Sequence, residues 1–172
     1  MSANNNDASP NWRAATAADL KIINRIADEI HVNLPEQTEV LAEKFNLYPE
    51  GCFVLIHNGD VVGYGFSHPW LLYSIPALDR FLGGLPPSPE CLFVHDVVVL
   101  PQGRGHGAAG VLVELIANLA RQRRIALLAL VSVYNTHPLW ARCGFEIVSD
   151  PTLNDKLKSY GDTARYMVRK LD

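Results

Sequence analysis

The chain has 172 residues, of which 48% are hydrophobic and 19% are charged, a composition that suits one globular domain with a full core. Its net charge of −3 is scattered in sign, without the basic stripe of a nucleic-acid-binding protein, and no apolar run approaches the roughly 20 residues that span a membrane. Cys52, Cys91 and Cys143 are too dispersed for a zinc cluster, so we expect reduced thiols in a cytoplasmic protein without a metal site.

The N-terminus predicts a disordered tail followed by one domain. Residues 1–10 are polar and rich in asparagine, and they lack the charged-then-apolar order of a signal peptide. We therefore expect a tail over residues 1–10 and a single domain over residues 11–172. A short strand over Trp12–Ala15 begins this domain.

Two helices and a hairpin are predicted next. Thr16 can cap the first helix, and Thr38 starts the second. Apolar residues of the first helix recur at helical spacing, at Leu20, Ile23, Ile26 and Ile30. Cys52–His57 is a dense apolar strand, Asn58-Gly59 is a strong hairpin turn, and residues 61–67 return as the next strand.

Residues 68–90 form an insertion of different character. They combine several prolines and the Gly83-Gly84 pair with aromatic and leucine residues. We expect an ordered segment, helical over Ala77–Leu82, which either lines a binding cleft or only packs on the body of the protein. His68, at its start, is a candidate residue for the border of that cleft.

The second half of the chain predicts a mixed α/β or α+β sheet. The apolar strand Leu92–Leu100 is interrupted by His95-Asp96 and leads through a glycine-rich turn into a helix over Gly107–Arg123. A buried strand over Ile125–Val133 follows. The remaining predictions are a short helix over Pro138–Arg142 and strands over Phe145–Val148 and Arg165–Leu171.

The glycine-rich turn predicts a phosphate site, since it exposes backbone N–H groups at the positive end of a helix. Residues 105–110 match the dinucleotide fingerprint G-x-G-x-x-G. That fingerprint needs a carboxylate at the end of the next strand, where this chain has Tyr134-Asn135-Thr136. Only residues 111–172 follow, too few for the rest of a doubly wound domain. A dinucleotide-binding domain is therefore the remote alternative.

Residues 99–109 resemble motif A of the GNAT superfamily of N-acetyltransferases, whose pattern is [Gln/Arg]-x-x-Gly-x-[Gly/Ala]. The pattern fits from Gln102 or from Arg104, and the family's Val-x-Pro-x-x-Arg-Gly-x-Gly spacing selects Arg104. The resemblance implies a central mixed, largely antiparallel sheet with splayed central strands, flanked by helices. It also implies that the turn binds the pyrophosphate of acetyl-coenzyme A through Arg104, Gly105, His106, Gly107, Ala108, Ala109 and Gly110.

Residues 131–145 resemble motif B of the same family, on Asn135, Leu139-Trp140 and Gly144-Phe145. The resemblance implies that Asn135 contacts coenzyme A and that the pantetheine arm lies between the two splayed strands. Trp140 stands where the family often has a tyrosine that protonates the leaving thiolate. An indole N–H is a donor only, so Tyr134 or water is left as the acid.

Transfer of an acetyl group to an amine requires a polarised carbonyl and a proton acceptor. The resemblance assigns the first role to backbone N–H groups of Val97 and Val99. His95 and Asp96 are the candidate catalytic residues because ionisable residues inside an apolar strand are uncommon. Neighbouring strand residues point to opposite faces, so we expect only one of the two to face the cleft. His31, near the end of the first helix, is interpreted as a capping residue that the helix dipole favours, with contact to the acceptor as the alternative.

The expected function is acetyl-CoA-dependent N-acetylation of a primary amine on a small molecule or a peptide. The alternative is a non-catalytic acyl-CoA-binding or regulatory module of the same fold. Neither a nucleic acid nor a membrane is expected as a partner, and a homodimer is compatible with the resemblance.

Overall fold

The computed structural model describes residues 8–172. The expected tail over residues 1–10 falls mainly on residues 1–7, which lie outside the described residues. In chain order the elements are β1 (Asn11–Ala14), α1 (Leu20–Ile30), α2 (Thr38–Leu47), β2 (Cys52–His57), β3 (Asp60–Trp70), β4 (Cys91–Val99), α3 (Ala108–Gln122), β5 (Leu127–Ser132), α4 (His137–Arg142), β6 (Glu146–Ile147), α5 (Asn154–Ser159) and β7 (Arg165–Lys170). No helix within residues 8–172 is long and apolar enough to cross a membrane.

The strands form one seven-stranded sheet in the order β1-β2-β3-β4-β5-β7-β6. Neighbouring strands are antiparallel except for β4 and β5, which run parallel. The mixed, largely antiparallel sheet expected from the sequence is therefore confirmed. A doubly wound dinucleotide-binding domain needs a mainly parallel sheet, so that alternative is wrong.

The two central strands separate along their length. β4 and β5 pair only where Leu92–Val94 meet Leu128–Leu130. Beyond that point β4 continues to Val99 in register with β3 on its other side. A gap therefore opens between the ends of β4 and β5, as expected for splayed strands.

Helices cover both faces of the sheet because each buries one apolar side against it. On one face, α1 and α2 bury Ile23 and Leu41 against strand residues such as Val54. On the other face, α3 buries Leu112 and Ile116 among residues of the central strands. The Trp12 indole donates a hydrogen bond to the carbonyl oxygen of Ala108 at 2.8 Å, which fixes the start of α3 against β1.

The insertion between β3 and β4 contains no helix, so the helix expected over Ala77–Leu82 is wrong. Asp79 has a positive φ of +52°, which interrupts helical geometry. The N–H groups of Leu82 and Gly83 donate to the carboxylate of Glu43 in α2 instead of to helical carbonyls. Side chains from a distant helix thus determine the conformation of this segment.

The sequence also gave no indication of α5, which follows a 3-10 turn over Pro151–Leu153. It is a six-residue helix without buried side chains of its own, so it has no apolar periodicity to detect. Leu153, in the preceding turn, is buried and anchors it to the sheet.

Candidate functional site

A cleft of about 550 Å³ opens where the ends of β4 and β5 diverge. It is bordered by β4, the loop before α3, the end of β5 and the start of α4. The linker between α1 and α2, the β3–β4 insertion and the residue after α5 complete its walls. A cleft of this size is in the range that holds small ligands and cofactor arms.

The loop between β4 and α3 leaves the N-terminus of α3 open to this cleft. Gly105 and Gly107 have left-handed φ values of +87° and +66°, which glycine adopts without strain. A Cβ atom at either residue would meet no atom within 4 Å, so there is open space beside the backbone. The first N–H groups of α3 have no acceptor within the helix and lie at the positive end of its dipole. This geometry suits a phosphate or pyrophosphate.

Most of the residues predicted to bind the cofactor lie along the cleft. The lining set contains Val97, Val99, Arg104, Gly105, Gly107, Ala108, Ala109 and Gly110. The Nε of Arg104 donates to the carbonyl oxygen of Val99 at 2.9 Å, which holds the loop against the end of β4.

Two predicted cofactor residues lie outside the lining of the cleft. His106 is exposed, and its Nδ1 lies 3.0 Å from the carbonyl oxygen of Arg104. Asn135 is also exposed and has a positive φ of +58° in the turn after β5. Its neighbours Tyr134 and Thr136 line the cleft in its place.

His95 and Asp96 both line the cleft, so the expectation that only one of them faces it is wrong. The cause is a bulge in β4. Phe66 of β3 pairs with Asp96, whereas the next residue, Ser67, pairs with Val94. His95 is thus an extra residue in the ladder, and the alternation of side chains fails at this point.

Asp96 lies at the centre of a group of four hydrogen-bonded residues, Tyr64, Asp96, His31 and Tyr134, which we call the Asp96 cluster. The Tyr64 hydroxyl donates to Oδ2 of Asp96 at 2.5 Å. The Nε2 of His31 lies 2.9 Å from Oδ1 of Asp96, and its Nδ1 lies 3.1 Å from the hydroxyl oxygen of Tyr134. Tyr134 has a positive φ of +54°, an uncommon conformation that is enriched at functional sites.

His31 is the C-cap residue of α1, as expected, and its side chain also belongs to the site through Asp96. Burial disfavours its charged form, but the hydrogen bond and charge of Asp96, with the charge of Glu36, outweigh burial and raise the pKa of His31 above 6.5. A protonated His31 donates from Nε2 to Asp96 and from Nδ1 to Tyr134. The O–H of Tyr134 is then free to donate into the cleft.

A second polar group lies beside the first and contains Lys44, Glu36 and His95. One oxygen of Glu36 is 3.1 Å from Nζ of Lys44, and the other is 2.9 Å from Nε2 of His95. Burial alone would raise the pKa of Glu36, but the hydrogen bond and charge of His95 and the contact with Lys44 lower it to about 2. Glu36 lines the cleft, whereas the side chain of Lys44 is only 1% exposed.

His95 is much less accessible than Asp96. Its side chain is 2% exposed, and its Nδ1 is buried without a hydrogen-bond partner. His68, another candidate, lies outside the cleft lining and packs beside His95 with ring centroids 5.5 Å apart. Burial, together with the charges of His95 and Lys44, lowers the pKa of His68 to about 3, so it is neutral. Within the Asp96 cluster, His31, Asp96 and Tyr134 line the cleft, whereas Tyr64 is fully buried.

Trp140 is buried in the core and also lines the cleft. Its Nε1–H donates to Oγ1 of Thr136 at 3.1 Å, so this donor is already engaged.

No sequence pattern indicates Tyr64, Glu36 or Tyr160, all of which the structure places in or beside the site. Tyr64 alternates with apolar residues in a strand, and Glu36 follows a proline in a linker. Neither position has a local pattern that indicates a functional residue. Their roles depend on contacts with residues of β4, which lie 32 residues from Tyr64 and 59 residues from Glu36 in the chain.

The profile of the acetyltransferase (GNAT) family matches residues 20–145. A comparison with curated proteins gave no significant match. Among solved structures, the chain is similar to Ard1 from Thermoplasma volcanium, with 17% identity, a TM-score of 0.71, and 96% of this chain and 99% of that chain covered.

Two further solved structures share the fold. N-acetylglutamate synthase from Neisseria gonorrhoeae, complexed with coenzyme A and N-acetyl-glutamate, has 21% identity and a TM-score of 0.70, over 96% of this chain and 36% of that chain. The GNAT-like decarboxylase GphF, in complex with isobutyryl-CoA, has 18% identity and a TM-score of 0.74, over 94% of this chain and 100% of that chain.

A splayed mixed sheet beside an open glycine loop defines the fold class of the N-acetyltransferases. The family profile spans most of the described domain and includes the loop, β4 and β5. The chain belongs to the GNAT acetyltransferase family.

Proposed function

We propose that this protein is an N-acetyltransferase that moves an acetyl group directly from acetyl-CoA to a primary amine. The observation that carries the proposal is that the open N-terminus of α3 and the Asp96 cluster share one cleft. The first is a site for the phosphates of a donor, and the second is a chain of groups that can move protons. Related structures with bound coenzyme A or an acyl-CoA support the choice of donor.

The donor would lie along the gap between the central strands. Its pyrophosphate would contact the N–H groups around Gly105 and Gly107, and its pantetheine arm would follow β4. Beyond Val94, no strand among the described residues pairs with β4 on the side that faces β5. Backbone N–H groups of Val97 and Val99 are therefore candidates to polarise the thioester carbonyl.

The Asp96 cluster would accept one proton and donate another. When the amine nitrogen attacks the thioester carbon, the C–S bond breaks, and the nitrogen loses a proton to the Asp96 carboxylate. The departing thiolate takes the hydroxyl proton of Tyr134, which takes a proton from Nδ1 of His31. The ion pair of His31 and Asp96 thereby becomes a neutral pair, and exchange with solvent through the exposed Tyr134 restores it.

Tyr134 replaces Trp140 as the proton donor in this proposal. An indole cannot release a proton near neutral pH, and the indole N–H of Trp140 is bound to Thr136. Burial and the charge of Asp96 raise the pKa of Tyr134, so it is protonated at neutral pH. The proton that it gives to the thiolate is replaced from Nδ1 of His31, so no tyrosinate accumulates.

A non-catalytic acyl-CoA-binding module is the rival function, and it would use the loop but not the Asp96 cluster. Decarboxylation of an acyl-CoA is less compatible with the site, because Glu36 and Asp96 would repel the carboxylate that a decarboxylase must bind. The single domain over residues 11–172, a cytoplasmic location and a homodimer stay predictions.

The test combines calorimetry with coenzyme A and an assay of thiol release from acetyl-CoA with a panel of amines. We expect saturable binding and thiol release, and Asp96→Asn should lower kcat by about 100-fold or more. Asp28→Asn, which neutralises an exposed carboxylate on α1, is the matched control and should retain activity. Binding without thiol release from any amine would favour the rival module. Equal kcat for both variants would remove Asp96 from the mechanism.

A further inference from the structure

The part of the cleft around Asp96 has apolar walls. We call Ile30, Leu34, Leu78 and Tyr160 the acceptor walls, because all four line the cleft that His31, Asp96 and Tyr134 also line. Ile30 directly precedes His31 in the chain. Tyr160 shares this cleft with Glu36 and Asp96, and burial, followed by the charges of these two carboxylates, raises its pKa.

Leu78 is held in this wall from both sides. The Tyr160 hydroxyl donates to the carbonyl oxygen of Pro76, which lies two residues before Leu78 in the chain. The backbone N–H of Gln37 donates to Oδ1 of Asp79 at 2.6 Å, and the Gln37 side-chain amide donates to Oδ2 at 3.0 Å. The insertion therefore presents Leu78 in a fixed position between α5 and the start of α2.

A second attachment secures the insertion to α2. The carboxylate of Glu43 accepts hydrogen bonds from the N–H groups of Leu82 and Gly83 at 2.6 and 3.0 Å. The insertion thus covers this part of the cleft as an anchored segment. The whole cleft of about 550 Å³ must hold the pantetheine arm together with the acceptor, which leaves room for a small molecule.

The charged groups differ between the two parts of the cleft. Arg104 and the α3 N-terminus lie where the donor's phosphates would bind. Near the acceptor walls, the carboxylates of Glu36 and Asp96 line the cleft, and each is paired with a cation, Glu36 with Lys44 and Asp96 with the protonated His31. An amine can therefore donate hydrogen bonds to carboxylate oxygens in this part of the cleft.

We propose that the acceptor is a small primary amine whose remaining part is aliphatic or aromatic, which deepens the N-acetyltransferase function proposed above. The acceptor walls are hydrocarbon except for the Tyr160 hydroxyl, and that hydroxyl already donates to Pro76. A carboxylate or a peptide group of an acceptor would lose its water without a partner there. A second ammonium would find both oxygens of Glu36 already engaged, by Lys44 and His95. An apolar group would gain by leaving water. Polyamines, free amino acids and peptides are therefore poor acceptors.

The experiment measures kcat/KM for thiol release from acetyl-CoA with 2-phenylethylamine and hexylamine, compared with spermidine, lysine and a short peptide. We expect both apolar amines to exceed the other acceptors by at least about tenfold. A higher kcat/KM for spermidine, lysine or the peptide would overturn the proposal and leave the N-acetyltransferase function standing. Thiol release with none of these amines would refute both.

Matched variants test the walls themselves. Leu34→Asp and Leu78→Asp should raise KM for 2-phenylethylamine about tenfold or more, without changing the affinity for coenzyme A. Val32→Asp and Phe81→Asp are the controls, because these residues of the same two segments are 73% and 61% exposed. Equal effects of all four substitutions on KM would also overturn the proposal.

Discussion

Neutralising Glu36 should destabilise the fold in a pH-dependent way. In the native protein its pKa is lowered from 4.5 to about 2, with Lys44 and His95 as its partners. Each pKa unit corresponds to about 1.36 kcal/mol, so the ionised carboxylate contributes on the order of 3 kcal/mol to the free energy of unfolding at pH 7. Because the native pKa lies below the unfolded one, this contribution is complete above about pH 5 and is lost as the pH falls towards 2.

The assay is urea unfolding followed by tryptophan fluorescence. Glu36→Gln should lose about 3 kcal/mol at pH 7 and less than half of that at pH 3. Glu39→Gln, an exposed neutralisation in α2, is the control and should change the free energy by less than about 0.5 kcal/mol. The double variant Glu36→Gln/Lys44→Met should recover much of the loss, because it removes the unpaired buried charge. A loss below about 1 kcal/mol at pH 7, or equal losses at both pH values, would refute the reasoning.

We expect kcat of the native protein to decline as the pH rises above the raised pKa of His31, and His31→Gln should lower kcat about 100-fold and abolish that decline. An unchanged pH profile would exclude His31 from proton transfer. Gly107→Glu should abolish coenzyme A binding in calorimetry, since its φ of +66° strains any side chain and the added carboxylate would repel the phosphates. Native affinity in that variant would show that the loop does not bind the pyrophosphate. Gly63→Ala should lower the free energy of unfolding by about 2 kcal/mol, because its Cβ would lie 2.5 Å from the carbonyl oxygen of Val98. Gly110→Ala, whose Cβ would meet no atom within 4 Å, is the control in thermal unfolding and should be at least as stable as the native protein.

Local patterns were sufficient to predict the strands, the longer helices and the glycine-rich loop between β4 and α3. The hairpin at Asn58-Gly59 and the strand Cys52–His57 appear at the expected positions, because turn chemistry and apolar density act over a few residues. The insertion and α5 did not follow from local patterns. Their conformations depend on contacts such as those from Glu43 to Leu82 and Gly83, which connect segments far apart in the chain.

The sequence by itself determined the fold class and the place of the glycine-rich loop before α3, since the glycines at 105 and 107 and the helix that follows are adjacent in the chain. Only the tertiary structure decided which polar groups meet in the cleft. A bulge turned His95 and Asp96 towards the same cleft, and folding brought His31 to Asp96 across 65 residues and to Tyr134 across 103. Strand register and long-range packing determine which side chains come together, and neither can be predicted from a few consecutive residues.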